Sequence, residues 1–229
     1  MNRHSSRSGE LLRFPVEAGP SVSARLALPP TARACYVFAH GAGAGMDHPF
    51  MRALAAELAE RGIGTLRYQF PYMERGSRRP DPPPLCHATV RAAVAECTRL
   101  APEVPLIAGG RSFGGRMTSQ AQALAPLPGV RGLVFLGFPL HRAGRPSDER
   151  ARHLERVEIP MLFLQGTRDT LAEQALLGTV LAQLGPRACL TWLEGADHAF
   201  HVAARSGRSD AQLRVTMLES FCSWVERLA

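Results

Sequence analysis

Short apolar runs alternate with longer stretches of helical period along most of this chain. The runs at 11–16, 24–28, 35–40, 64–70, 105–109, 132–138, 160–165 and 189–193 are rich in β-branched, aromatic and leucine residues and are bounded by Gly or Pro. That pattern predicts eight strands. Between the later runs, helices are predicted at 50–61, 88–100, 115–125, 148–155, 171–184 and 210–228. The last carries Val215, Leu218, Phe221, Cys222 and Val225 at a 3.6-residue spacing. Strands without an intervening helix, followed by repeated strand–helix units, predict an α/β fold: a mostly parallel eight-stranded sheet with helices on both faces. Residues 72–85, with four prolines and Arg75, Arg78 and Arg79, and residues 141–147 are expected to be irregular. No internal repeat is visible.

The chain has 229 residues, 45% hydrophobic and 21% charged. That length suits one large α/β domain spanning 1–229, with residues 1–10 a flexible tail. A chain of this size buries a core without disulfides or metal. No apolar run approaches the ~18 residues of a membrane span. The polar start lacks the apolar segment of a secretory signal, so a cytoplasmic protein without membrane partners is expected. The net charge is +7, and every basic residue is arginine, because lysine is absent. The arginines are scattered rather than striped, which argues against a nucleic-acid partner. Five cysteines, at positions 35, 86, 97, 189 and 222, show no zinc spacing and read as buried free thiols.

The strongest chemical signal is Gly110-Arg111-Ser112-Phe113-Gly114. It fits G-x-S-x-G, and it sits between an apolar strand and a helix, the context that a nucleophile elbow requires. Ser112 there projects its hydroxyl from a tight turn, and the glycines let strand and helix approach. His40-Gly41-Ala42-Gly43 follows the third strand, where half of an oxyanion hole is expected. Two backbone N–H groups are needed, and Phe113 and Ala42 are assigned, with Gly43 the alternative for the second.

An acid and then a base should follow Ser112 in the chain. Of eight carboxylates between Ser112 and His198, only Asp169 closes an apolar strand before a turn, where it would alternatively cap the next helix. His198 and His201 follow it; His198 lies in the loop after the last strand and is preferred as base. The expected chemistry is nucleophilic attack by Ser112 on an acyl carbonyl, with His198 as base and Asp169 orienting it. No metal and no cofactor are called for.

Four segments carry a wider resemblance: His40-Gly-Ala-Gly-Ala-Gly-Met-Asp47, Phe70-Pro-Tyr-Met73, Gly109-Gly-Arg-Ser-Phe-Gly-Gly-Arg116 and Gly166-Thr-Arg-Asp169. From about Val22 to Ala229 the chain resembles the α/β-hydrolase superfamily. More narrowly, it resembles small dienelactone-hydrolase-like bacterial proteins related to the eukaryotic NSL-complex subunit three. The resemblance implies a lidless hydrolase, and the short connection 139–159 leaves no room for a cap domain. It departs from dienelactone hydrolases in placing serine where they use cysteine.

These readings point to a serine hydrolase acting on a small ester or related acyl substrate. The alternatives are acyl transfer to another acceptor, or a non-catalytic interaction module on the same fold. Gly41, Gly43, Asp47, Tyr72, Met73, Arg111 and Phe138 are expected around the substrate. Arg111 and the Arg75/Arg78/Arg79 loop would favour an anionic substrate, or are simply solvated. Substrate identity and oligomeric state are not encoded legibly.

Overall fold

A computed structural model describes residues 9–203 and 207–228. The strands are β1 (Glu10–Phe14), β2 (Val22–Ala27), β3 (Ala34–Ala39), β4 (Ile63–Tyr68), β5 (Leu106–Arg111), β6 (Val130–Leu136), β7 (Met161–Gly166) and β8 (Ala188–Leu193). They form one sheet in the order β1-β2-β4-β3-β5-β6-β7-β8. β1 and β2 pair antiparallel, as do β2 and β4, and every other pairing is parallel. The helices are α1 (Pro49–Ala59), α2 (Pro71–Glu74), α3 (Pro83–Leu100), α4 (Phe113–Leu124), α5 (Gln174–Leu184) and α6 (Asp210–Glu226). Most of the expected tail, residues 1–8, lies outside the described residues, whereas Glu10 already pairs with Leu26.

Side chains of the central strands alternate between two apolar layers, as a sheet covered on both faces requires. Cys35, Val37 and Ala39 of β3 face a layer built with α3, α4 and α5; Tyr36 and Phe38 face the layer of α1 and α6. All five cysteines are free, four of them buried, and Cys35 Sγ lies 3.4 Å from Cys97 Sγ.

Several boundaries differ from the expected ones. α3 begins five residues early, at Pro83, because proline lacks only an N–H that the first helical turn leaves unused. The helix expected at 148–155 is a short 3-10 helix, Arg152–Arg156, docked on α4 through a 2.7 Å contact between His153 Nε2 and Ser119 Oγ. α5 starts at Gln174, because the preceding residues form a turn organised by Asp169. On α6, Val215 faces solvent, and Leu213 and Met217 are buried in its place. Among the described residues no helix is long and apolar enough to cross a membrane.

Two imidazoles join elements, one buried (His40) and one half-buried (His153). His40 ends β3; its Nδ1–H donates to the Gly41 carbonyl (2.8 Å), and its Nε2 accepts the Phe70 N–H (3.0 Å). A proton added at Nε2 would face that N–H. Burial pushes His40 down to about 4. It does the same to His153, helped there by Arg116. The unfolded chain therefore binds more protons than the folded one between pH ~6.5 and 4, so stability falls as pH drops through that window. For His40 the loss should reach roughly 3 kcal/mol. Unfolding free energies from denaturant titration at pH 4 to 7 check this. His40→Gln should show a shallower slope than the wild type.

Candidate active site

The site lies at the carboxyl ends of the central parallel strands. β5 runs into α4 through Ser112, which adopts φ 48° and ψ −113°. A positive φ is strained for a serine and persists only where the surroundings enforce it. Here the Ser112 N–H donates to Leu136 O (3.0 Å), and its carbonyl accepts from the Arg116 N–H (3.1 Å), opening α4. The turn also lies hard against the end of β3. A Cβ on Gly110 would stand 2.4 Å from Ala39 O, and one on Gly114 would stand 2.5 Å from His40 O. No other residue fits either position at this separation.

Asp169 follows β7 and is buried. Its Oδ2 lies 2.7 Å from His198 Nδ1, and His198 Nε2 lies 2.8 Å from Ser112 Oγ. With a carboxylate on one side and a hydroxyl on the other, Nδ1–H donates to Asp169 and the serine O–H donates to Nε2. Asp169 Oδ2 also accepts from Gln165 Nε2 (2.6 Å), and Oδ1 accepts from the Leu171 N–H (2.8 Å). Gln165 is itself oriented by the Phe138 N–H, which donates to its Oε1 (2.8 Å). Sequence reasoning missed Gln165; the available signal was one amide in the otherwise apolar strand Met161–Gly166.

His198 sits in a tight loop after β8. Asp197 Oδ1 accepts the N–H groups of Ala199 (2.8 Å) and His201 (2.9 Å), and Phe200 takes φ 62°. His201 turns outward instead, onto Asp210 at 2.8 Å, a carboxylate that holds its imidazole more basic than usual.

The glycine-rich loop after β3 passes beside the nucleophile. A Cβ on Gly41 would lie 3.9 Å from Ser112 Cβ. Ala44 N–H closes a turn on Gly41 O (3.3 Å), which leaves the Ala42 N–H outside that turn. Phe113 is the first residue of α4, where no intrahelical acceptor exists for its N–H. The loop is anchored to β4 and the residues after it: Gln69 Oε1 accepts the Met46 N–H (2.8 Å), and Arg67 donates to Met46 O (2.9 Å).

Several residues expected around the substrate have other partners. The Asp47 carboxylate is taken up by Arg25 (3.0 Å) and Arg67 (3.5 Å), across β2 and β4. Phe138 is wholly buried among Phe135, Phe163 and His153, so it packs the core under the site and forms no open wall. Tyr72 is also buried, edge-on to Phe113 and His40, with the Gly43 backbone beside its hydroxyl. Met73 is half-buried beside it. Gly43 lies open at φ 73°. Arg111 stacks over Phe50, 4.9 Å from the ring centre. Among the described residues no group of three His, Cys, Asp or Glu is placed to hold a metal.

A family profile described as an alpha/beta hydrolase domain matches residues 32–226. The chain belongs to the α/β-hydrolase family. Among solved α/β-hydrolase structures, it is similar to an alpha-beta serine hydrolase homologue from Coxiella burnetii, at 18% identity and TM-score 0.75 over 93% of this chain and 97% of that one. It is also similar to a dienelactone hydrolase from Anabaena variabilis, at 21% identity and TM-score 0.73 over 92% and 94%. A serine hydrolase without a lid from Xanthomonas campestris matches at 20% identity and TM-score 0.72 over 97% and 98%. At these identities the likeness is one of fold, and among the described residues no cap domain is inserted between the strands.

Gly114→Ala tests the close approach at the elbow. The added methyl group cannot be absorbed by backbone on both sides, so the variant should lose about 1–3 kcal/mol of stability. Thermal melts and circular dichroism measure the loss.

Proposed function

We propose that this protein is a serine hydrolase that cleaves a small ester or related acyl compound through Ser112, His198 and Asp169. The reading rests on one observation, the continuous hydrogen-bonded line from Asp169 Oδ2 through both His198 nitrogens to Ser112 Oγ. Ser112 Oγ attacks the acyl carbonyl as its proton passes to His198 Nε2. Asp169, oriented by Gln165 and the Leu171 N–H, keeps the imidazole in the productive tautomer and stabilises the imidazolium. The Phe113 and Ala42 N–H groups receive the oxyanion. The positive end of α4 adds to them, since its axis starts at the nucleophile.

Collapse of the tetrahedral intermediate expels the alcohol, which takes the proton held at His198, and leaves an acyl group on Ser112. Water then loses a proton to His198 as it attacks the acyl-enzyme. The acid departs and the serine hydroxyl is restored. Only neutral His198 serves as base, because a protonated imidazole has no lone pair left to take the serine proton.

A fluorophosphonate probe should label Ser112, with the labelled peptide identified by mass spectrometry; a folded protein without that adduct would remove the catalytic reading. His198→Ala should lower kcat on an activated ester by on the order of 10³ to 10⁶. His201→Ala should cost far less, because its ring pairs with Asp210 away from the serine. A crippled His201→Ala beside an active His198→Ala would reverse the assignment.

A further inference from the structure

Other buried and half-buried arginines have acceptors or nearby carboxylates; Arg111, whose Nε has no acceptor, feels the charges of Asp197 and Asp169. Arg67 meets Met46 O and Asp47, Arg91 meets the carbonyls of Ala121 and Ala125, and Arg187 meets those of Glu155 and Val157. Arg116, one turn into α4 from the nucleophile, differs. Its guanidinium lies over the Phe113 ring, 5.8 Å from the centre, and its buried Nε has no acceptor. The charged and titratable neighbours acting on it are cationic or neutral: Arg150 opposes it, and Cys86 is a buried thiol. It in turn opposes protonation of His87 and His153. Among the described residues no carboxylate offsets this group.

Arg150 extends the same wall. Its Nη1 donates to His141 O (3.0 Å), and Arg142 opposes its charge. Together with Arg142, Arg145 and Ser147, it lines a cavity of about 350 Å³ whose single carboxylate is Glu149. The loop bearing these arginines is fixed to the acid of the site: His141 N–H donates to Leu171 O (3.2 Å), and Leu171 N–H donates to Asp169 Oδ1 (2.8 Å). Guanidiniums without a carboxylate partner match an anion, because their planar donor forks fit carboxylate and phosphate oxygens in pairs.

We propose that Arg116 and Arg150 flank a subsite for an anionic group, carboxylate or phosphate, so that the preferred substrates are esters carrying a negative charge beyond the scissile bond. This proposal rests on the serine hydrolase reading for its kinetic form. Competition by glutarate and by inorganic phosphate separates the two anions.

The experiment compares mono-4-nitrophenyl glutarate with 4-nitrophenyl valerate, and 4-carboxyphenyl acetate with phenyl acetate. The charged member of at least one pair should show a kcat/KM at least tenfold higher, expressed mainly in KM. The ratio should fall about tenfold in Arg150→Gln and shrink at high salt, while Arg99→Gln on the far end of α3 keeps it. Calorimetric titration of wild type and Arg150→Gln with glutarate and phosphate reads the subsite without turnover. If no ester is cleaved and Ser112 is not labelled, but an anion binds wild type and not the variant, the subsite stands and the catalytic reading falls. Neutral esters cleaved without charge preference, or anions bound equally by both proteins, would overturn the subsite.

Discussion

The site depends on how closely two backbone segments approach at the middle of the sheet. β3 and β5 are neighbours, and the turn leaving β5 is pressed against the carbonyls of Ala39 and His40. Side chains at Gly110 or Gly114 would push the serine turn away from the glycine-rich loop that follows β3. In the proposed hydrolase, that loop and the first turn of α4 face one point so that two N–H groups converge on one oxygen. Glycine at both positions, and the strained φ of Ser112, follow from this convergence.

Polar side chains then hold what the close approach has placed. His40 ties the end of β3 to Phe70, Gln69 and Arg67 grip Met46, and Gln165 grips Asp169. Each lies at or just beyond the end of a central strand, where the ladder stops and backbone groups need other partners. The amides of Gln69 and Gln165 and the imidazole of His40 do this without charge, and Arg67 sets its own charge against Asp47.

Much of this was legible in the sequence. Gly and Pro bounded all eight strands, and the G-x-S-x-G turn between apolar strand and helix located Ser112. Chain order then singled out Asp169 and His198, which the fold brings to hydrogen-bonding distance of each other and of the serine. What was not legible depended on distant partners. Proline signals a break by default, so the start of α3 at Pro83 was hidden. Periodicity located the apolar face of α6 but not its rotation, which packing against α1 and the sheet decides, leaving Val215 outside. Phe138 looked like a pocket wall because it follows a strand end, yet three rings enclose it. His40 and Gln165 take up N–H groups 30 and 27 positions away, partners that no local pattern reveals.

His198 hangs from the rim of the sheet. β8 is an edge strand, half-buried along most of its length, whereas β5, which presents the nucleophile, is enclosed on both sides. Edges of sheets open with less free energy than their centres. Partial opening at β8 would carry His198 off while Ser112, its strained turn and the glycine loop stayed assembled. Heat or mild denaturant should therefore silence such a protein before it unfolds, and cooling should return activity without refolding of the core.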